Sequence, residues 1–73
     1  MQMNEDAELA YVENDASNTT ALVKFFDENT ATIAERVYCP AGAGVSLPVP
    51  SGAVFVGAIV DPSDTGTIKI QTS

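Results

Sequence analysis

The stretch that most constrains the fold runs from Val45 to Val60, VSLPVPSGAVFVGAIV, and holds two apolar runs joined by a proline-glycine turn. In the first run Pro48 and Pro50 alternate with apolar residues, and because proline cannot donate to a neighbouring strand, this pattern predicts an edge strand. The second run, residues 53–60, is apolar on both faces. It predicts a central, most buried strand that acts as the spine of the fold, with Gly57 marking a bulge or the close approach of a backbone or aromatic ring.

Two further runs predict strands on either side of this stretch. Residues 19–26 are rich in β-branched and aromatic residues, with Val23 and Phe25 on one side of the pleat and Phe26 on the other. A sheet this small cannot easily cover two adjacent phenylalanines, so we expect Phe26 to be uncovered and available to a partner. The run 67–72 alternates inward isoleucines with outward polar residues and predicts the last strand.

The segment 31–39 fits two structures. Ile33 and Val37 have helical i, i+4 spacing, whereas Ile33, Glu35 and Val37 alternate as they would in a strand. We favour a strand that forms a hairpin with residues 19–26 across the Asp-Glu-Asn-Thr turn, because a helix of two turns is marginal by itself. Glu35 then shares a face with apolar residues, which counts against the strand, so a short helix stays open.

The N-terminal segment is strongly acidic. Residues 1–18 carry five of the ten carboxylates and end in a cluster of turn-forming residues, with Leu9, Tyr11 and Val12 as the apolar anchors besides the methionines. We interpret this segment as an extended arm that docks onto a partner. The predicted fold class is therefore all-β: a small antiparallel β-sandwich or barrel of about five to six strands over residues 19–73, preceded by the arm over residues 1–18.

The alternation within these strands predicts which side chains form the core and which meet a partner. The predicted core consists of Val23, Phe25, Val45, Leu47, Val49, Val54, Val56, Ile59, Ile68 and Ile70. The predicted interface consists of Leu9, Tyr11, Val12 and Phe26.

The size and composition of the chain indicate that it needs a partner. A domain of 73 residues buries only about 60% of the surface that its unfolded chain exposes. A single cysteine excludes an internal disulfide, and the lack of histidine excludes a zinc site of the usual His/Cys type, so association is the stabiliser that remains.

Charge and hydropathy narrow the class of partner. The net charge of −7 opposes binding to phosphate backbones, so we expect no nucleic-acid partner. No apolar run is long enough to cross a bilayer, and the acidic N-terminus is unlike a secretory signal. We therefore expect a soluble chain that is made in a cytoplasm and has no membrane partner.

No residue pattern predicts catalysis or a cofactor. Without histidine the usual Ser-His and Cys-His pairs cannot be built, and Cys39 reads as a small hydrophobic residue. The carboxylate pairs Asp27/Glu28 and Asp61/Asp64 could approach each other as a glycosidase acid and base, but turn chemistry explains both pairs. The loop 61–66 also supplies oxygen ligands suited to calcium, without the spacing of an EF-hand.

Several segments together resemble known small virion proteins: the acidic N-terminus, the KFFDENTATIAERVY hairpin, the PAGAGVSLPVPSG connection and the GTIKIQTS terminal strand. In style they are similar to the all-β capsid decoration, or cement, proteins of tailed bacteriophages. The resemblance carries no specific motif, so no residue role follows from it. It implies a β-sandwich on the outer capsid surface of the virion, often oligomeric, that binds the major capsid protein.

The residues and the resemblance together predict a non-enzymatic structural accessory protein of a larger assembly, forming a homo-oligomer or binding other assembly subunits. The alternative is a carbohydrate-binding or adhesive β-module of a fibre or cell-surface protein. For that alternative Tyr11, Phe26 and the loop 61–66 are the expected binding residues. A second alternative is an enzyme subunit or an inhibitor.

Overall fold

The computed structural model describes residues 1–33 and 37–73, and these residues form an all-β fold. Its six strands are β1 (Leu9–Asn14), β2 (Ala21–Phe26), β3 (Val37–Cys39), β4 (Gly44–Pro48), β5 (Phe55–Ile59) and β6 (Ile68–Thr72). They form two three-stranded antiparallel sheets, ordered β4-β1-β6 and β3-β2-β5. The prediction of a small antiparallel β-sandwich is confirmed.

Strand β2 is the centre of the β3-β2-β5 sheet and follows the predicted alternation. Val23 and Phe25 are fully buried, whereas Phe26 points to the opposite side and is partly covered. Side chains of adjacent strand residues face opposite ways, so the Phe25-Phe26 pair places one ring in the core and one on the outside.

The N-terminal arm predicted over residues 1–18 is wrong. Residues Leu9–Asn14 form the central strand of the other sheet and pair with β4 on one side and β6 on the other. Ala10 and Val12 face the core and are fully buried, while Glu13 faces out. The segment was misread because four of its five carboxylates lie outside the strand, whereas within β1 only Glu13 is acidic and it lies on the solvated face.

The first three residues also belong to the folded body. Met1 and Met3 run along the free edge of β5: the Met3 amide donates to the Val54 carbonyl at 2.9 Å, and the Val56 amide donates to the Met1 carbonyl at 2.9 Å. The Met3 side chain is buried in the core cluster. This short pairing covers part of an edge that would otherwise be open to another strand.

The prediction that residues 53–60 form the central spine is also wrong. Strand β5 lies at one side of its sheet, and within it only Val56 is fully buried. Ile59 is 52% exposed and faces away from the core. Apolar residues on both faces suggested cover on both sides, but a fold of two layers supplies cover on only one.

Strand β4 is an edge strand, as predicted, and pairs with β1 alone. The Val49 amide donates to the Glu8 carbonyl of the neighbouring chain segment at 2.9 Å. Backbone amides alternate in direction along a strand, so the backbone nitrogen of Pro48 faces the open edge. Proline has no N–H there to donate to another strand. This edge is therefore poorly suited to adding another strand.

The core lies between the two sheets. Its buried residues are Met3, Ala10, Val12, Ala21, Val23, Phe25, Cys39 and Val56. Of the other predicted core residues, Val45, Leu47, Val49, Ile68 and Ile70 are partly buried and pack against this cluster. Val54 is half-buried outside it, and the assignment of Ile59 to the core is wrong because that side chain is exposed.

The hairpin predicted between residues 19–26 and 31–39 is present where the structure describes it. Strand β3 pairs antiparallel with β2, and Thr32 bridges to Phe26. At the turn, the Asp27 carboxylate accepts the backbone amides of Asn29 and Ala31 at 2.8 and 3.0 Å. The part of the strand-or-helix question that concerns residues 34–36 lies outside the described residues.

A buried asparagine connects the two sheets at the end of the sandwich where β1 ends. The Asn14 side-chain amide donates to the backbone carbonyls of Thr19 at 2.9 Å and Cys39 at 3.1 Å. Its carbonyl oxygen accepts the side-chain amide of Asn18 at 3.0 Å. Asn14 is only 2% exposed, so these bonds replace the water that the amide loses on folding.

Asn18 extends the same network to the start of β6. Its amide donates to the Thr67 carbonyl at 3.4 Å, and its oxygen accepts the Gly66 amide at 2.9 Å. A Cβ at Gly66 would lie 2.6 Å from both the Asn18 oxygen and the Ser17 hydroxyl, so the loop can approach this closely only with glycine. Every buried polar side-chain atom in the described part of the chain has a hydrogen-bond partner.

We expect Asn14→Ala to lower the free energy of unfolding by on the order of 3 kcal/mol, because it removes three buried or partly buried hydrogen bonds, to the Thr19 carbonyl, the Cys39 carbonyl and the Asn18 amide. Asn4→Ala is the matched control, since Asn4 is exposed and its loss should change stability by less than about 0.5 kcal/mol. Urea denaturation followed by circular dichroism measures both. Equal stability of the two variants would contradict the structural role of Asn14.

Candidate interaction surface

The outer side of the β3-β2-β5 sheet carries large apolar side chains that the second sheet does not cover. We call this surface the apolar face. It consists of Leu22, Phe26, Tyr38, Phe55 and Ile59, together with Lys24 and Gly57. Tyr38 is 54% and Ile59 52% exposed. Contiguous exposed apolar side chains on a small protein are typical of an interaction site.

The strand register arranges these residues in three rows. Tyr38, Leu22 and Ile59 lie opposite one another across all three strands. Lys24 lies opposite Gly57 in the next row. Residues directly opposite each other on paired strands have their Cβ atoms about 5 Å apart, so each row forms a continuous strip.

The third row pairs Phe26 with Phe55. The Phe26 ring passes over Gly57, where a Cβ would lie 3.7 Å from the ring carbon Cε2. A separation of that length is an ordinary van der Waals contact, so the ring packs against the surface of β5 at Gly57. The prediction that Gly57 marks the approach of an aromatic ring is confirmed.

The outer side of the β4-β1-β6 sheet is more polar. It presents Leu9, Tyr11, Glu13, Ser46, Pro48, Lys69 and Gln71. The Tyr11 side chain lies across Gly44, and a Cβ at that glycine would clash with its hydroxyl. Glu13 and Lys69 are directly opposite on neighbouring strands, so opposite charges adjoin on this face.

The predicted interface residues are not brought together. Phe26 lies on the apolar face, whereas Leu9 and Tyr11 lie on the opposite side of the sandwich. Val12 is fully buried, so its assignment to an interface is wrong. The burial of Val12 follows from the strand alternation of β1, which places it opposite Val45 and Ile70 inside the sandwich.

Sequence reasoning missed most of the apolar face. Tyr38 and Ile59 are exposed, as Phe26 was expected to be, and both lie opposite Leu22 on the neighbouring strands. The available signal was the alternation in β2: if Val23 and Phe25 face the core, every residue paired with Leu22 must face out.

An acidic groove borders the Phe26–Phe55 row. It is lined by residues 2–6, 27–29 and 52–54, and contributes the carboxylates of Glu5, Asp6, Asp27 and Glu28. Gln2, which lines the groove, also pairs with Phe55 on the sheet. The groove therefore adjoins the Phe26–Phe55 end of the apolar face.

The loop proposed for calcium is organised by internal hydrogen bonds. The Asp61 carboxylate accepts the Ser63 hydroxyl at 2.7 Å and the Ser63 amide at 2.9 Å, and these two bonds lower the pKa of Asp61. The Asp64 carboxylate accepts the Thr19 hydroxyl at 2.6 Å and the Thr19 amide at 2.9 Å. Within the described residues, no three His, Cys, Asp or Glu side chains are grouped to hold a metal ion.

The same chemistry recurs in the β1–β2 connection, where the hydroxyl and the amide of Ser17 donate to Asp15 and lower its pKa. These carboxylates stabilise turns. Asp64 also lies far from Asp27 and Glu28. Thr19, whose hydroxyl donates to Asp64, precedes β2, whereas Asp27 follows β2. A strand of this length separates its ends by roughly 20 Å, so the two carboxylate pairs do not form one site.

Cys39 belongs to the core. It is fully buried, and its Sγ lies 3.3 Å from the Ala43 carbonyl and 3.7 Å from the Val12 carbonyl. A buried thiol in these surroundings packs as a small apolar side chain.

No protein-family model, curated protein or solved structure matches this chain. In residues 1–33 and 37–73 there is no helix long and apolar enough to cross a membrane.

The two sides of β5 should differ in how much the same kind of substitution changes the free energy of unfolding. Ile59→Thr, on the apolar face, should change the free energy of unfolding by less than about 0.5 kcal/mol. Val56→Thr, three residues earlier and fully buried, should lower it by about 2 kcal/mol because a hydroxyl enters the core. Thermal and urea unfolding of both variants measures the difference. A larger loss for Ile59→Thr would show that the apolar face is not an outer face.

Proposed function

We propose that the protein is a non-enzymatic structural accessory protein that joins a larger assembly by docking its apolar face onto another subunit. The observation that carries the proposal is the run of five large apolar side chains on the outer side of the β3-β2-β5 sheet. Covering such a surface contributes about 25 cal/mol per Å² of apolar area removed from water.

The small core gives the protein a further reason to associate. Only eight residues form the buried apolar cluster of this 73-residue chain among those that the structure describes. Chains of this size bury too little surface to be strongly stable alone, and a partner that binds only the folded state raises stability by mass action.

The finer form of the proposal is a capsid decoration, or cement, protein that sits on the surface of a virion and binds the lattice of the major capsid protein. The resemblance of the sequence to small phage virion proteins supports this form. The net charge of −7 is consistent with a protein partner and opposes direct contact with nucleic acid. In this form of the proposal, the protein is a homo-oligomer on the capsid lattice.

Two double variants test the docking surface. Tyr38→Thr/Ile59→Thr removes a tyrosine and an aliphatic residue from the apolar face, and Tyr11→Thr/Leu9→Thr removes the same kinds of side chain from the opposite face. Density-gradient sedimentation of a lysate from producing cells, with the protein detected by antibody, separates assembled from free chain. We expect the wild type and the Tyr11/Leu9 variant to sediment with a large particle, and the Tyr38/Ile59 variant to stay at the top while circular dichroism shows it folded.

A wild-type chain that stays entirely at the top of the gradient would contradict the proposed function. Loss of assembly by the Tyr11/Leu9 variant alone would place the docking surface on the other sheet. Recovery of the major capsid protein in the same fractions, identified by mass spectrometry, would support the finer form.

The alternative function, carbohydrate binding, is favoured by one observation. Three aromatic residues, Phe26, Phe55 and Tyr38, lie on one exposed sheet face, where rings could stack on sugars. The site differs from the one expected, because Tyr11 lies on the opposite side of the sandwich. Tyr38 is also two rows, or roughly 13 Å, from the phenylalanines, with Leu22 and Ile59 beside it. Aliphatic neighbours suit a protein surface better than a sugar.

A glycan array distinguishes this alternative. A carbohydrate-binding module should bind a defined glycan and lose at least tenfold in affinity on Phe26→Ala, because a stacked ring is removed. Tyr11→Ala is the control on the opposite face. Absence of any glycan bound by the wild type, or equal binding by the Phe26 variant, would reject carbohydrate binding at this face.

A further inference from the structure

We infer that the apolar face docks onto a partner surface that is itself apolar and is bordered by lysine or arginine side chains that enter the acidic groove. This inference rests on the proposed function and names the chemistry of the partner. It follows from the size of the apolar face, from the position of the groove, and from the charge of the chain.

The apolar face alone is too small for a stable interface. It extends over five residues of β2 and of β5 and includes only Tyr38 of β3, so standard strand geometry gives it at most about 14 by 17 Å, or about 240 Å². A stable interface of ordinary size covers about 800 Å² on each partner. A docked partner must therefore also cover the surfaces next to the apolar face.

The acidic groove adjoins the Phe26–Phe55 row at one end of the sheet. Asp27 follows Phe26 in the chain, Val54 precedes Phe55, and Gln2 pairs with Phe55; all three line the groove. A partner that covers the two phenylalanines therefore also places side chains in the groove.

The groove favours cations. Its lining includes four carboxylates, and none of the described lining residues is lysine or arginine. The Asp27 carboxylate is held by backbone amides of its own turn, whereas Glu5 and Glu28 make no side-chain hydrogen bond within the described residues. Carboxylates at the rim of an interface steer a basic partner toward it and penalise an acidic one.

Lys24 adds one more requirement. It lies between the two apolar rows, opposite Gly57, and is partly buried. Lysine in such a position typically lays its aliphatic stem over apolar surface and keeps its ammonium group in water. A partner that covers this row must offer an oxygen acceptor to the ammonium group, because a covered charge without a partner is costly.

A second copy of the chain fits these requirements poorly. Each copy carries a charge of −7, and a face-to-face pair would bring two acidic grooves toward one apolar contact. Like charges across an interface disfavour association. A basic, apolar surface of a different protein is the better match.

Two synthetic β-hairpin peptides serve as probes for the full-length protein. Both carry the same exposed row of valine, leucine and phenylalanine; one has four lysines at its rim and the other has four glutamates in the same positions. Chemical-shift changes in ¹⁵N-labelled protein at about 50 and 300 mM NaCl report affinity and location, because salt at the higher concentration screens rim charges strongly.

We expect the lysine peptide to shift the amides of Lys24, Phe26, Phe55 and Glu28, and to bind at least tenfold more tightly than the glutamate peptide at low salt. The advantage should shrink severalfold at high salt. Glu5→Gln/Glu28→Gln should remove most of it, whereas the control Glu8→Gln/Glu13→Gln, which removes two charges away from the groove, should retain it.

Three outcomes would overturn the inference. Equal binding of both peptides at the apolar face would contradict the inference of a basic partner, but it would leave the proposal of docking through that face intact. Absence of shifts at the apolar face with either peptide would reject the partner chemistry altogether, and the sedimentation experiment would then decide the proposed function separately. Concentration-dependent broadening of Tyr38 and Ile59 in the peptide-free protein would instead make a second copy the occupant.

Discussion

A fold of two three-stranded sheets has four sheet faces and covers only two of them. In this chain the covered faces meet around Val12, Val23, Phe25 and Val56, and that contact forms the core. An apolar strand residue that does not face this core must then lie on an outer face, because no third layer exists in the described residues. The exposed position of Ile59 follows from this constraint and from the register of β5 with β2.

The two outer faces differ in composition. The β4-β1-β6 face carries opposite charges and polar residues, and its edge position at Pro48 lacks an N–H. The β3-β2-β5 face carries aliphatic and aromatic residues and runs into an acidic groove. Carboxylates beside an apolar surface favour a basic partner over an acidic one.

The sequence was sufficient where a local pattern had a single physical meaning. The alternation of Val23, Phe25 and Phe26 fixed the orientation of β2, and alternate prolines identified the edge strand β4. It was insufficient where the meaning depended on distant partners. Leu9–Asn14 looked like part of an arm because acidic residues flank it, and only its position between β4 and β6 explains its two-residue period. The Asn14 network could not be foreseen, since its carbonyl partners come from Thr19 and Cys39.

The two tyrosines offer the most direct test of which face docks, because each is exposed on a different side of the sandwich: Tyr38 on the apolar face and Tyr11 on the opposite one. Hydroxyl-radical footprinting of the free chain and of the chain in its assembly compares their reactivity within one sample. Docking through the apolar face predicts that Tyr38 becomes protected while Tyr11 keeps the reactivity it has in the free chain. Protection of Tyr11 with Tyr38 unchanged would contradict the account.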